Sequence, residues 1–278
     1  MTLDQLDISR DKKGYIVLQP TYSTLYKMTQ YNTPLEYIQN TIYEYDIRAA
    51  NLTMLTQKKV TDAETLAMLA EFDRNSREIA VGKMIQRNPE IYKIISKGIL
   101  QARKNLFYTN RIQDYEVVSI RNDAVFIAGR RLKTTTFGEV EFRVKNRYAL
   151  FHRVEGIEFL YDKRHDRTDV KGIDDKVVNH PDHQAGMMSF LSTVFRYLCY
   201  ERRQDLSNYL LQFTHDYKAM TLPVVFYREL NSENVYRTKM EVAGFGYNMT
   251  IAGDSDKDII NPVYNYRRFI LPLIRQYV

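Results

Sequence analysis

The chain has 278 residues, enough for one large domain or two smaller ones with a substantial core. Hydrophobic residues make up 44% and charged residues 27%, a globular composition that excludes an intrinsically disordered chain. The net charge of +6, from 40 basic and 34 acidic residues, is a mild excess. The placement of the basic residues is therefore more informative than their number.

Cysteine usage and hydropathy indicate the compartment. Cys199 is the only cysteine, which excludes an intrachain disulfide and favours a reducing environment. The chain has no leading apolar stretch of the signal-peptide kind, and no run approaches the ~18 apolar residues of a membrane helix. We expect a cytoplasmic protein, in the host cytoplasm if the source is viral, with no membrane partner.

The first part of the chain changes from strand to helix patterns. Residues 1–40 are predicted to form a polar leader with short strand or helix pieces. The segment Thr41-Ile-Tyr-Glu-Tyr-Asp46 alternates and is rich in β-formers, which predicts a strand. The segment from Ala49 to Leu55 predicts the start of a helix.

A helical region occupies about residues 60–110. Thr61 to Glu64 matches a capping box, and residues 75–86 have the composition of an exposed helix. Asn88-Pro89 predicts a helix N-terminus, because proline suits the first helical position. Apolar residues from Ile91 to Leu106 then recur at helical spacing.

A hairpin follows the helical region. The apolar runs Tyr115–Arg121 and Ala124–Ile127 flank the polar pair Asn122-Asp123, which predicts a strand, a tight turn and a strand. Further strands are predicted through Tyr161, a helical region over residues 185–213, and turns over residues 244–258. This order of elements predicts an α+β fold.

Two aspartates sit where strands end or turn. Asp46 ends the predicted strand and Asp123 lies in the hairpin turn, so their carboxylates converge if the two strands are neighbours. Carboxylates at the ends of adjacent strands hold the Mg²⁺ ions of two-metal phosphoryl transfer. The alternative is that each is an ordinary turn-forming aspartate.

Four short segments, in order, resemble motifs of the family B DNA polymerases. Tyr45-Asp46-Ile-Arg-Ala-Ala-Asn51-Leu resembles motif A, and Ser119-Ile-Arg-Asn-Asp123-Ala-Val-Phe-Ile127 resembles the motif C hairpin. Lys145-Asn-Arg-Tyr148 resembles the Lys-x-Tyr element, and Asp169-Val-Lys-Gly-Ile173 resembles the segment that leads into the thumb. The resemblance covers about residues 41–180.

The resemblance implies a minimal, exonuclease-lacking polymerase, viral or phage-encoded. It implies a leader over residues 1–40, a palm over 41–165 with a fingers insert at about 60–110, and a helix-rich, thumb-like region over 166–278. The implied activity is template-directed nucleotidyl transfer, by a DNA polymerase or a primase-like enzyme. Mg²⁺ or Mn²⁺ is the implied cofactor, and the implied partners are a DNA or RNA template-primer, nucleoside triphosphates and other replication or transcription subunits.

The resemblance also assigns roles to residues. Asp46 and Asp123 are the expected catalytic residues and metal ligands. Arg77 and Lys83 lie on the helix between the two motifs and are predicted to bind the triphosphate. Lys145, Tyr148 and Lys171 are predicted to contact nucleic acid. Asn51 lies five residues after Asp46, where these polymerases place the residue that crowds the ribose 2′-hydroxyl; we predict that Asn51 contacts the sugar, the alternative being a helix-terminal polar residue.

Several positions depart from the family pattern. Arg121 stands where family B motif C has its first aspartate, and Ala124 stands where family A polymerases have a glutamate. The Lys-x₃-Asn-Ser-x-Tyr-Gly fingers motif is absent from the sequence. Two alternatives therefore stay open: a catalytically inactive palm-fold subunit that binds nucleic acid, and a non-enzymatic interaction protein. The His180/His183 pair is interpreted as a loop and Cys199 as a core residue.

Overall fold

The computed structural model of the chain describes residues 6–10, 16–20, 22–172, 188–219, 221–222, 235–236, 239–242, 245–248, 251–252 and 271–278. Its fold is α+β, which confirms the predicted class. The chain divides into two compact units, Met1–Pro34 with Thr41–Arg147 and Leu35–Asn40 with Tyr148–Val278.

The first unit contains a six-stranded antiparallel sheet and a two-stranded ribbon. The ribbon strands are β1 (Leu6–Arg10) and β2 (Ile16–Pro20). The sheet strands are β3 (Gln30–Asn32), β5 (Ile42–Ile47), β6 (Val117–Arg121), β7 (Ala124–Ala128), β8 (Thr136–Phe137) and β9 (Val140–Tyr148). Their spatial order is β3-β6-β7-β5-β9-β8, so the strand that carries Asp46 lies directly beside the strand that follows Asp123.

Four helices of the first unit connect β5 to β6. They are α1 (Ala50–Lys58), α2 (Ala63–Glu71), α3 (Arg74–Arg87) and α4 (Glu90–Asn110). Short turns of 3₁₀-helix cover Leu25–Lys27 and Asp114–Glu116. The side chains of Asp62 and Asp73 accept hydrogen bonds from the first-turn amides of α2 and α3, which fixes where those helices begin.

One core joins the sheet to these helices. Buried residues of β5, β6 and β7 pack against α1 and α4, with Tyr45, Met54, Leu106 and Ile120 fully buried. At α1 the chain turns sharply, because Ala49 has the left-handed backbone conformation with φ 46°. Left-handed backbone costs a non-glycine residue about 1 kcal/mol, so packing around the junction of β5 and α1 holds this turn.

The second unit contains a four-stranded antiparallel sheet in the order β12-β11-β10-β4. The strands are β4 (Tyr37–Ile38), β10 (Leu150–Val154), β11 (Ile157–Asp162) and β12 (Arg167–Lys171). The helices are α5 (Ser189–Cys199), α6 (Arg203–Ala219) and α7 (Leu271–Tyr277). Two further strand pairs join β13 (Val235–Tyr236) to β16 (Ile251–Ala252) and β14 (Lys239–Val242) to β15 (Phe245–Asn248).

Local details differ from the sequence prediction in two places. The cap of α2 is Asp62 rather than Thr61, because the Asp62 carboxylate reaches the Thr65 amide at 2.8 Å. The helical region over residues 185–213 is two helices in its described part, with a break at Tyr200–Arg202 where Glu201 has φ 56°. Cys199 is half-buried against the core of the second unit, and His180 and His183 lie outside the described residues.

Candidate functional site

The position of Asp46 follows from the pairing of β5. Asp46 lies opposite Ala124 in the ladder between β5 and β7. Ala124 is the residue that follows Asp123 in the chain. Side chains alternate along a strand, so Glu44 and Asp46 point to the same face. The Asp46 side chain keeps 16% of its surface exposed, which leaves the carboxylate accessible at the end of a buried strand.

Asp123 occupies the tight turn between β6 and β7. The turn begins with Asn122 at φ 51°, a conformation that asparagine tolerates better than most residues, and the Asn122 amide donates to the Thr29 carbonyl at 2.8 Å. The Asp123 carboxyl lies within hydrogen-bonding reach of the Asp46 carboxyl. Burial, followed by this hydrogen bond and the charge of Asp46, raises the pKa of Asp123 to about 6.

A lysine from β9 stands beside the aspartates. Lys145 Nζ is 3.4 Å from Glu44 Oε1 and 3.9 Å from Asp46 Oδ2, and its charge opposes the rise in the pKa of Asp123. Glu44 also accepts from Asn146 Nδ2 at 2.6 Å, so its carboxylate is held by two neighbours. Strand β9 therefore supplies one cation to a group of carboxylates on the neighbouring strand.

These side chains line a cavity of about 800 Å³ within the first unit. Five of the eight predicted site residues line it: Asp46, Asn51, Arg77, Asp123 and Lys145. Its cationic lining residues are Arg48, Arg74, Arg77, Arg103, Arg143 and Lys145, and its acidic ones are Asp46, Glu78 and Asp123. Cations outnumber acids by six to three, so the cavity is suited to an anionic ligand.

Arg103 is a lining residue that sequence reasoning missed. It lies on α4 with 2% of its surface exposed, and its Nε and Nη1 atoms have no hydrogen-bond partner in the described part of the chain. Burial lowers the pKa of Arg103 to about 10, while the charge of Asp123 acts in the opposite direction. A buried guanidinium with open donors is costly unless something pairs with it, which makes Arg103 a candidate for a ligand contact. The sequence signal that could have identified Arg103 was its helical spacing, four residues after the apolar residue Ile99.

The other three predicted residues lie elsewhere. Lys83 is exposed on α3 and does not line the cavity. Tyr148 has 1% of its surface exposed and donates to Asp169 Oδ2 at 2.7 Å, so its ring has no free face for nucleic acid. Lys171 is half-buried on β12 of the second unit.

The carboxylate pair fits a divalent cation by the chemistry of its donors. Asp46 and Asp123 present hard oxygen ligands, and a cation between them would relieve the repulsion that raises the pKa of Asp123. Within the described ranges, no group of three or more His, Cys, Asp or Glu side chains is arranged to hold a metal. Any ion at the pair would therefore depend on substrate oxygens or water for its remaining ligands.

Comparison with known families identifies a phage lineage. The family model of the bacteriophage PBS1 gene 130 protein matches residues 21–278, nearly the whole chain. The chain belongs to this family. The match supports the viral or phage origin expected from the sequence. Comparison of this gene 130 family member with curated proteins finds no match. In the part that the structure describes, none of its helices combines the length and the apolar character needed to cross a membrane.

Proposed function

We propose that this phage protein is a metal-dependent nucleotidyltransferase, a template-directed polymerase or primase-like enzyme whose active site is the cavity at Asp46 and Asp123. One observation carries the proposal: the carboxylates of Asp46 on β5 and of Asp123 in the neighbouring β6–β7 turn meet in the lining of a cavity whose other charges are mostly cationic. This pairing is the arrangement that phosphoryl transfer to or from a nucleoside triphosphate requires.

The cations of the cavity divide between the two reaction partners. Arg77 from α3, Arg103 from α4 and Arg143 from β9 would pair with the oxygens of a triphosphate. The open Nε and Nη1 donors of Arg103 suit two phosphate oxygens at once, because a guanidinium presents parallel N–H bonds. Lys145 lies within ion-pair distance of Glu44 and Asp46 and would orient both carboxylates next to the transferred group.

Asp46 and Asp123 would hold Mg²⁺ or Mn²⁺. The bound metal supplies Lewis-acid activation of an attacking hydroxyl and neutralises charge on the leaving pyrophosphate. Asp123 has to be ionised to act as a ligand, so the activity should rise with pH through the pKa of about 6. Both carboxylates are partly buried, which strengthens each charge interaction at the pair.

The order of elements supports a palm with fingers and a thumb-like region. The strand that carries Asp46 lies next to the hairpin that carries Asp123, and α1–α4 connect the two as an inserted helical segment. The second unit supplies the helices α5 and α6 after the sheet. Template-primer and nucleoside triphosphate are the ligands that we propose for this fold.

Primer extension tests the proposal. Wild type and Asp123→Asn are compared on a primed DNA or RNA template with Mg²⁺ and labelled nucleotides. Loss of a metal ligand should lower the rate more than about 100-fold, since even outer-shell changes cost 10–100-fold. Asp114→Asn is the matched control, because Asp114 is an exposed aspartate of the same unit outside the cavity. Equal rates in wild type and Asp123→Asn would reject the catalytic role.

A second candidate is a catalytically inactive palm-fold subunit. Lys145 already places a cation 3.9 Å from Asp46 Oδ2, as it would in a site that binds nucleotide without metal. Under this alternative, a nucleoside triphosphate binds equally well to wild type with and without Mg²⁺, and Asp123→Asn binds at least as tightly. Isothermal titration with a non-hydrolysable triphosphate separates the two candidates, because the enzyme should need the metal for tight binding.

A further inference from the structure

Helix α4 carries a straight line of exposed polar residues on its outer side. At about 100° per residue, positions separated by three, four or seven residues fall within an arc of about 80°. The exposed residues on this arc are Lys93, Lys97, Gln101, Lys104 and Tyr108, and the exposed residue Arg111 caps the C-terminal end of α4 with a left-handed backbone at φ 53°. We call these six residues the outer stripe; its helical part, from Lys93 to Tyr108, runs for about 22 Å at 1.5 Å per residue.

The outer stripe is separate from the two other faces of α4. Ile95, Ala102 and Leu106 pack into the core, whereas Arg103 and Ser96 line the cavity. By the same angular spacing, the core residues lie opposite the outer stripe, whereas Arg103 and Ser96 lie about 60–80° from its nearer edge, and no residue of the stripe lines the cavity. The stripe is therefore a surface of its own and does not belong to the candidate active site.

The charge of the outer stripe is of one sign. Glu90 is the single acidic residue in the sequence of α4, and it pairs with Lys93 at 2.6 Å. Lys97, Lys104 and Arg111 make no salt bridge with another residue in the ranges that the structure describes. Lys97 and Lys104 are seven residues apart, about 10.5 Å along the helix, which is about three nucleotides of a stacked strand, and Arg111 follows at the end of the helix.

The C-terminal end of the stripe carries a fixed aromatic ring. Tyr108 is 44% exposed, with its ring centroid 5.6 Å from that of Tyr22 and 5.7 Å from that of Tyr26. Lys104 Nζ lies 5.6 Å from the Tyr108 ring, and a hydrogen bond with Tyr26 raises the pKa of Tyr108. These contacts limit the motion of the ring, which lowers the entropic cost of a stacking contact with its exposed part.

We propose that the outer stripe of α4 binds a single-stranded nucleic acid. The backbone phosphates pair with Lys97, Lys104 and Arg111, and an unpaired base stacks on Tyr108. A row of cations that ends in an exposed ring suits a single strand, because it neutralises phosphates and offers a stacking face to any base. An acidic protein would satisfy the cations but not the ring. The surface adds a strand-binding path to the proposed function and needs neither metal nor Asp123.

Fluorescence anisotropy with a short labelled oligonucleotide in EDTA, over a series of salt concentrations, measures this binding. Lys97→Gln/Lys104→Gln should weaken binding at low salt at least about tenfold. The log–log salt slope should become shallower by about 1.4, at about 0.7 for each phosphate contact of a single strand. Lys58→Gln/Lys59→Gln is the matched control, because both lysines are exposed at the end of α1 and neither belongs to the stripe. Equal losses in the two double variants, or a wild type that does not bind, would overturn the proposal.

Tyr108 separates stacking from charge. Tyr108→Ala should weaken binding of the single strand about tenfold, whereas Tyr108→Phe should stay within about threefold of wild type, because stacking needs the ring and not the hydroxyl. Neither variant should change the affinity of a duplex of the same sequence, whose bases are already stacked. A loss in Tyr108→Phe as large as that in Tyr108→Ala would contradict stacking. Failure of the proposed catalysis is a separate result: Asp123→Asn would then extend primers normally while the stripe variants still lost affinity.

Discussion

The side-chain amide of Asn51 donates a 2.6 Å hydrogen bond to Glu78 Oε2 and so ties the first turn of α1 to α3 across the wall of the cavity. Both residues line the cavity, together with Asp46 and Arg77. The amide of Asn51 is therefore held in place before a ligand arrives, and its carbonyl oxygen remains an acceptor for a sugar hydroxyl. Under the proposed function, we therefore expect Asn51 to affect sugar choice.

We predict that Asn51→Tyr increases the preference for deoxynucleotides. Tyrosine is larger than asparagine and would crowd the 2′-hydroxyl, whereas the asparagine carbonyl can accept a hydrogen bond from that hydroxyl. Ribonucleotide use should therefore fall more than deoxynucleotide use. The measurement is the ratio of kcat/KM values for the two sugars in primer extension. Glu78→Gln serves as the control, because it removes the charge beside Asn51 and keeps an acceptor oxygen. An unchanged ratio in Asn51→Tyr would remove Asn51 from the sugar site.

The second prediction concerns pH and Asp123. The folded chain holds the Asp123 proton up to about pH 6, whereas an unfolded aspartate loses it near the ordinary pKa of 3.8. The folded state therefore binds more protons between these values, and the stability that neutral Asp123 supplies below about pH 4 is lost as the pH rises to about 6. Asp123→Asn cannot ionise, so it should be more stable than wild type by on the order of 3 kcal/mol at pH 7. Denaturant unfolding at about pH 4 and at pH 7 should show this gain in stability only at pH 7.

A third prediction links the same pair to metal. Mg²⁺ or Mn²⁺ should raise the melting temperature of wild type at neutral pH, because a ligand that binds only the folded state stabilises it. Asp46→Asn and Asp123→Asn should each lose most of this rise, while Asp114→Asn should keep it. Thermal melts across a metal titration provide the measurement. A rise of equal size in all four proteins would place the metal elsewhere.

The fourth prediction sets stability against ligand binding at Arg103. Arg103→Met keeps the length of the side chain and removes a buried charge whose Nε and Nη1 have no partner among the described residues. Without ligand, the variant should match wild type in stability or exceed it by about 1 kcal/mol, since apolar replacement of a buried charge is neutral or stabilising. Its affinity for tripolyphosphate or a nucleoside triphosphate should fall at least about tenfold, because charge-assisted hydrogen bonds are lost.

Arg87→Met is the matched control for that experiment. Arg87 is an exposed arginine at the end of α3, outside the cavity, so its replacement should leave both quantities unchanged. Calorimetric titration and chemical unfolding measure affinity and stability on the same samples. A loss of stability in Arg103→Met without loss of phosphate affinity would make Arg103 a structural residue.

A pair of glycines tests the packing of the helices around the cavity. A Cβ at Gly98 of α4 would lie 2.5 Å from Met54 Sδ, and Met54 is fully buried on α1, so Gly98→Ala should cost about 1–3 kcal/mol. A Cβ at Gly82 of α3 meets nothing within 4 Å, so Gly82→Ala should stabilise by up to about 1 kcal/mol through helix propensity. Urea unfolding of both variants checks the opposite signs, and equal signs would contradict the close approach of α1 and α4.

The successful predictions were based on local sequence patterns. The alternation up to Asp46 and the polar pair at Asn122-Asp123 identified the strand and the hairpin, because such patterns reflect burial on one face and turn geometry. Arg103 was missed because helical spacing does not show which basic side chain is buried away from solvent. The burial of Tyr148 was missed because it depends on its bond to Asp169, 21 residues away. The break at Tyr200–Arg202 has no glycine or proline to mark it.

Arg103 and Lys104 are consecutive residues of α4, yet one lies in the cavity lining and the other in the exposed outer stripe. A helix turns about 100° per residue, so one inserted or deleted residue upstream of them would rotate Lys104 toward the cavity or Arg103 toward the surface. The number of residues in the N-terminal half of α4 is thus fixed by the two surfaces together. Length changes between homologous chains should fall in the connections outside this helix, for example near Lys59–Thr61, and not within it.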